Sequence, residues 1–164
     1  MSALCEDSKL MKRYSRYLIC LLGIAALIVL DQWIKLWSVE NLKGTSGRGF
    51  IPGIVSLSYA ENRGAAFGIL QNMRWMFVAL GIVAVTVIIW IILKERIKSP
   101  VLLAGLSLIL AGAIGNLIDR ALDGFVVDMF KLEFINFAIF NVADIALTCG
   151  GIIICLYLLI KKPI

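Results

Sequence analysis

The architecture of this chain follows from the stretch FVVDMFKLEFINFAIFNVADIALT, residues 125–148. It places one carboxylate, Asp128, just before an apolar segment and a second, Asp144, a few residues inside that segment. A carboxylate at membrane depth is energetically costly and therefore indicates a functional role. Two carboxylates that converge at one depth are candidates for an acid/base pair.

The rest of the chain is also strongly apolar, with 61% hydrophobic residues among its 164. Soluble domains carry about 45–50% apolar residues, so the composition predicts an integral membrane protein. The length allows about four spanning helices of ~20 residues each and no separate soluble domain. The net charge of +5 then indicates cytoplasmic anchoring rather than binding of nucleic acid.

Missing residue types exclude several kinds of chemistry. The chain contains no histidine, which removes the Ser-His triad, the Cys-His pair and the H-E-x-x-H zinc site. Its four cysteines lack the spacing of metal ligands, and three of them lie in apolar segments. We interpret those three as small apolar side chains that pack within the spans, and we expect neither a metal nor a cofactor.

Four apolar segments are predicted to span the bilayer in a single membrane domain over residues 1–164: residues 17–37, 75–93, 101–118 and 137–160. Nine of the sixteen Lys and Arg residues lie in the tail 1–16, in the segment 94–98 and at the C-terminus. The positive-inside rule therefore places both termini in the cytoplasm. The tail is expected to be disordered, and the loops 38–74 and 119–136 are expected to lie outside.

The first outer loop is too long to be a bare turn. Residues 54–60 alternate apolar side chains with Ser56 and Ser58, the period of a half-buried strand, so we expect a small extracytoplasmic β-sheet. The motif ENRGAAFG, residues 61–68, predicts a turn, and residues 65–70 are expected to form a short interfacial helix. The predicted fold is thus an all-α membrane protein with four spanning helices, a small extracytoplasmic β-sheet and a short interfacial helix.

This orientation places four acids toward the outer face: Asp31, Asp119, Asp128 and Asp144. Two of them have an asparagine three residues earlier on the same helical face. Asn141 precedes Asp144, and Asn116 precedes Asp119, so each amide can orient its carboxylate. Two aspartates close together in a low-dielectric site cannot both ionise readily, so one keeps its proton. Such a pair can hydrolyse a peptide bond without histidine or metal. Spacing alone does not decide which two acids form it.

Five motifs, LDQWIK, ENRGAAFG, AGAIGNLIDR, FVVDMF and FNVADIALTCGG, occur in an order and at a spacing that resemble those of the lipoprotein signal peptidases (signal peptidase II). The resemblance covers about residues 30–151. It implies a four-helix aspartyl protease of the bacterial cytoplasmic membrane with its active site toward the outer face. Its substrate would be a diacylglyceryl-modified prolipoprotein, cut just before the lipidated cysteine. The expected partners are that substrate and membrane lipids, without nucleic acid, and we expect a monomer.

The resemblance also assigns roles to residues. Asp128 and Asp144 would be the catalytic pair, and the family's sheet would cradle the substrate. The chain departs from the family pattern at Ala138, close to a usual proline, and at Ala111, where the usual pair is Gly-Gly. Neither change touches a carboxylate. The supporting or substrate-binding residues would be Asn62, Gly64, Asn116, Asp119, Arg120, Asn141, Asp31 and Lys35.

Two ion pairs are expected among these supporting residues. Asp31 and Lys35 are four residues apart on one helical face and can pair, as an interfacial anchor, as support for the site or in contact with a lipid head group. Asp119 and Arg120 are expected to form an interfacial salt bridge that supports the site without taking part in the chemistry.

Three other functions are open on the residues alone. A proton-coupled carrier or channel subunit also uses intramembrane acids, but it would distribute them through the membrane depth. A non-catalytic assembly protein would tolerate loss of either aspartate. A lipid-modifying enzyme would lack its usual histidine base.

Overall fold

The computed structural model describes residues 2–64, 70–94, 97 and 99–161. Four helices in this part of the chain are long and apolar enough to cross a membrane, which confirms the predicted membrane fold. The elements in chain order are α1 Ser2–Leu42, β1 Arg48–Ile51, β2 Val55–Asn62, α2 Arg74–Lys94, α3 Pro100–Leu122, β3 Val126–Leu132 and α4 Val142–Ile160.

Three helix boundaries differ from the predicted spans. The first helix begins at Ser2, where a disordered tail was expected, and continues to Leu42 because Leu42 packs on the sheet. The third continues to Leu122 and ends at the C-cap Asp123. The fourth begins at Val142 instead of residue 137 because Asn141 is its N-cap, and Phe140 still bridges to β3.

The sheet has three antiparallel strands in the order β1-β2-β3. It covers the C-terminal end of α1 through a core that contains Leu42, Leu57, Val127 and Met129. The strand predicted at 54–60 is β2, whereas Asp128, which was expected in a loop, lies on β3. The interfacial helix predicted at 65–70 falls mostly on residues outside the described part of the chain.

Glycines allow α3 and α4 to pack closely. A Cβ added at Gly150 of α4 would lie 2.6 Å from the carbonyl oxygen of Gly105 and 3.0 Å from the backbone nitrogen of Ile109, both on α3. A Cβ at Gly112 would collide with the carbonyl oxygen of Ala143. Small residues at such contacts let helix backbones approach one another, which brings the start of α4 against α3.

This contact predicts opposite effects for two adjacent glycines. Gly150→Ala should lower the free energy of unfolding by about 1–3 kcal/mol, because the new methyl group meets backbone atoms that cannot rotate away. Gly151→Ala should be neutral or stabilising by up to ~1 kcal/mol, since a Cβ there meets nothing within 4 Å and the unfolded chain loses entropy. Thermal unfolding in detergent would compare them, and equal shifts in Tm would contradict the packing.

Candidate active site

Asp128 is held by two amide side chains. Its Oδ1 accepts a hydrogen bond from Asn141 Nδ2 at 2.6 Å, and its Oδ2 accepts one from Asn62 Nδ2 at 3.1 Å. The residue is only 2% exposed. Its position on β3 brings it opposite Ala60 of β2, two residues before Asn62. The sheet therefore fixes both the carboxylate and one of its two donors.

Asp144 lies in the first turn of α4, where it forms a capping box with the N-cap. The Asn141 side chain accepts a hydrogen bond from the Asp144 backbone nitrogen at 2.9 Å, and Asp144 Oδ2 accepts one from the Asn141 backbone nitrogen at 3.3 Å. Asp144 Oδ1 accepts a second hydrogen bond to the carboxylate, from Asn116 Nδ2 at 2.8 Å. Both hydrogen bonds that described residues donate to this carboxylate come from N–H groups, which suits a negative charge.

Two asparagines join the carboxylates into one network. Asn141 Nδ2 donates to Asp128 and also, at 3.2 Å, to Asn116 Oδ1, while Asn116 donates to Asp144. Asn141 is fully buried. The expected pairing of Asn141 with Asp144 is therefore present. Asn116, by contrast, was expected to orient Asp119 on its own helix, and it donates across to α4 instead.

The environment of Asp128 changes its acidity. Burial, and after it the negative charge of Asp144, raise the pKa of Asp128 from 3.8 to about 7, against the opposing effect of hydrogen bonds from Asn62 and Asn141. A carboxyl group with that pKa is about half protonated at neutral pH. The network thus contains a carboxyl group that can hold or release a proton under physiological conditions.

A buried ammonium group lies next to this network. Lys35 Nζ is 2.7 Å from Asp31 Oδ2 and 2.9 Å from Asp119 Oδ2, and it donates to Asn116 Oδ1 at 3.1 Å. The predicted pairing of Asp31 with Lys35 is confirmed. The predicted salt bridge between Asp119 and Arg120 is wrong: Asp119 pairs with Lys35 on α1, and the ion pairs of the described residues include none with Arg120.

Asp31 connects α1 to the start of α4. Its Oδ1 accepts a hydrogen bond from the backbone nitrogen of Ala143 at 2.8 Å, one residue before Asp144. A Cβ at Gly115 would lie 2.7 Å from Asp31 Oδ2, so the glycine leaves room for the carboxylate. Both Asp31 and Lys35 are buried. The buried pair is therefore part of the network, and its burial argues against both an anchor at the bilayer surface and contact with a lipid head group.

Arg120 and Gly64 are linked to Asn62, one of the two donors to Asp128. Asn62 Oδ1 accepts a hydrogen bond from the Gly64 backbone nitrogen at 3.1 Å, and Arg120 Nη2 donates to the Gly64 carbonyl at 3.4 Å. The Arg120 guanidinium also stacks on the ring of Phe77 at 5.1 Å. These contacts hold the residues that follow Asn62 at the end of β2 in place.

A cavity of about 420 Å³ opens beside Asp144. Asn62 and Arg120 also line it, and most of the remaining wall is apolar. A largely apolar cavity of this size with a few converging polar groups is typical of a binding site. The rest of its lining consists of Leu132, Phe137, Ala138, Ile139, Phe140, Ile145, Thr148 and Cys149.

Two further residues support the site and were not predicted. Gln32 Nε2 donates to Asp119 Oδ1 at 2.7 Å and to the Gly115 carbonyl at 3.3 Å. A polar side chain next to Asp31 in an otherwise apolar span indicates a polar partner, so the sequence could have predicted that Gln32 contacts the buried acids. Arg74 donates to the carbonyls of Arg120 and Ala121 at 2.9 and 2.8 Å, and an arginine at the start of a span carries no comparable signal.

Comparison with known proteins gives the family. A family model described as Signal peptidase (SPase) II matches residues 23–160. The chain belongs to the signal peptidase II family. The match covers all of the elements that form the network, apart from the first residues of α1. Signal peptidase II is a peptidase family, so the expected family and a peptidase activity are confirmed.

Individual relatives agree with this assignment. The lipoprotein signal peptidase of Streptococcus agalactiae serotype III is 52% identical over 136 residues, 83% of this chain and 87% of that protein. The Enterococcus faecalis protein of the same name is 44% identical over 149 residues, 90% and 92% of the two chains. A solved bacterial membrane enzyme has a TM-score of 0.82 and 30% identity over 89% of this signal peptidase II chain and 94% of its own.

Proposed function

We propose that this chain is an aspartic endopeptidase that removes the signal peptide from diacylglyceryl-modified prolipoproteins and cuts just before the lipidated cysteine. Asp128 and Asp144 are the catalytic pair. One observation carries the proposal: both carboxylates accept a hydrogen bond from the same buried residue, Asn141. Its side-chain nitrogen donates to Asp128, and its backbone nitrogen donates to Asp144. The names and the 44–52% identities of the relatives support the choice of substrate.

The reaction needs one ionised and one protonated carboxyl group. Asp144 takes a proton from the attacking water while the water oxygen bonds to the scissile carbonyl carbon. Asp128 holds a proton near neutral pH and donates a hydrogen bond to the carbonyl oxygen. When the C–N bond breaks, the amine leaves with a proton from the pair. The raised pKa of Asp128 supports this division of roles.

The neighbouring residues position the pair. Asn62, Asn116 and Asn141 donate the hydrogen bonds that orient the two carboxylates. Lys35 supplies a positive charge that offsets the nearby acids. The supporting set further includes Asp31, Asp119, Gly64 and Arg120. The apolar walls of the cavity beside Asp144 suit the apolar part of a lipidated substrate.

The orientation in the membrane is part of the proposal. Both termini lie in the cytoplasm of a bacterial cell, and the catalytic pair lies toward the outer face of the cytoplasmic membrane. The distribution of Lys and Arg supports this orientation. The described acids of the network lie at the same end of the helices as the sheet, which favours a peptidase over a proton path through the membrane. The chain acts as a monomer.

Cleavage of a synthetic diacylated precursor by the purified full chain in detergent tests the proposal. The product should begin with the lipidated cysteine, as mass spectrometry would show. The same precursor without its lipid should stay intact. Equal cleavage of both precursors, or a cut at another bond, would refute the proposed specificity.

The pH dependence follows from Asp128. Its pKa is raised to about 7, so the protonated form is present below pH 7 and is lost as the pH rises through that value. Both carboxylates are then ionised and no proton donor is left, so kcat/KM should fall about tenfold per pH unit well above pH 7. A rate that stays constant to pH 9 would contradict the assigned proton.

A further inference from the structure

A second cavity, of about 510 Å³, lies between α1 and the sheet. Met129 and Phe130 both line it, whereas Asp128, the residue before them, is hydrogen-bonded within the carboxylate network. This cavity shares no described lining residue with the cavity beside Asp144, so it is distinct from the candidate active site. We call it the back cavity. Its walls include Ile34, Trp37, Arg48, Phe50, Leu57 and Met129.

A single cation lies against these otherwise apolar walls. The Arg48 guanidinium stacks on the Trp37 ring, 4.8 Å from its centroid. The ion pairs among residues 2–64, 70–94, 97 and 99–161 include none with Arg48. An exposed positive charge without a carboxylate partner, next to an apolar cavity, suits an amphiphile with an anionic head.

The back cavity adjoins exposed apolar surfaces on a spanning helix and on the sheet. Leu36, on the spanning helix α1 beside Trp37, is highly exposed. On the sheet side, Phe50 is 59% exposed, and Ile51 and Ile54 near the tip of the β1–β2 hairpin are exposed as well. Exposed apolar patches in a membrane protein are covered by lipid or a partner. The cavity is therefore within reach of acyl chains of the bilayer.

We propose that the back cavity binds one acyl chain of a bilayer phospholipid, with Arg48 binding the lipid phosphate. The volume lies within the range of small-molecule sites, about 300–1,000 Å³. The diacylglyceryl group of the substrate does not fit this role, because it has no phosphate and its reacting end belongs at Asp144, whose cavity shares no described lining residue with the back cavity. The bound phospholipid fills the space between sheet and helix and so stabilises the strand that carries Asp128.

Lipid binding to the purified full chain tests this site. Native mass spectrometry after delipidation would titrate phosphatidylglycerol, and thermal unfolding would report its effect on Tm. We expect saturable binding of one phosphatidylglycerol and a higher Tm. Diacylglycerol with the same acyl chains tests the substrate's lipid as the source, and glycerol phosphate tests the head group alone. Binding of either as tight as that of phosphatidylglycerol would overturn the proposal.

Two exposed positions give the decisive variants. Arg48→Gln should weaken phosphatidylglycerol binding about tenfold, the loss of one charge-assisted contact. Phe50→Glu should weaken it at least as much by placing a carboxylate at the cavity wall, whereas Phe50→Gln should change it less. Lys131→Gln is the matched control, since Lys131 is on the same sheet but outside the back cavity. Equal losses for Arg48→Gln and Lys131→Gln would show a general surface charge effect and refute the site.

Discussion

Asp128→Asn and Asp144→Asn should each lower kcat/KM for a diacylated precursor by at least about 10³-fold, within the range of losses for essential acids and bases. Each change keeps the size of the side chain and removes its ability to exchange a proton. Rates would be measured with purified protein in detergent, with the product identified by mass spectrometry.

The matched control is Glu61→Gln on the same sheet. Its carboxylate contacts Lys43, Tyr59 and Arg63, and none of its described hydrogen bonds reaches the catalytic pair. This variant should keep most of the activity. Both aspartate variants should still unfold cooperatively on heating. Substantial processing by either aspartate variant would remove that residue from the chemistry and refute the proposed pair.

Lys35→Met should destabilise the folded protein by about 3–5 kcal/mol, because it leaves the buried carboxylates of Asp31 and Asp119 without their cation. Methionine has nearly the same shape as lysine, so lost charge and not lost volume causes the effect. Thermal unfolding in detergent would measure it. Activity should fall in parallel, since Lys35 also donates to Asn116, which orients Asp144.

A rescue variant separates charge from packing at this site. Adding Asp31→Asn and Asp119→Asn to Lys35→Met removes the unpaired charges and should restore much of the lost Tm. Lys43→Met is the control, because the ion pair of Lys43 with Glu61 is exposed and contributes little. If Lys35→Met and Lys43→Met shift Tm equally, the buried charge network does not stabilise the fold.

Local contacts were predictable from the sequence, and contacts between distant elements were not. The pairing of Asp31 with Lys35 follows from a spacing of four residues within one helix. The partner of Asp119 is on α1, 84 residues away in sequence, and spacing suggested its neighbour Arg120 instead. The burial of Asp119 against α1 decides between them, and burial emerges only when the helices pack.

The three strands show the same limit. Residues 54–60 alternate in polarity and predict β2, whereas Val126, Val127 and Met129 are all buried along with Asp128, so β3 has no period of two to detect. The assignment of Asp128 and Asp144 as the pair came from the motifs and not from spacing. Asn141 was expected to orient Asp144, but its second bond, to Asp128, depends on the fold.

Asn141 has a consequence for biogenesis. It begins the final spanning helix and also contacts both acids. During translation this segment leaves the ribosome after the other three spans. The proposed catalytic pair is therefore assembled only when the last segment has inserted, and we expect partly synthesised chains in the bilayer to be inactive toward neighbouring proteins.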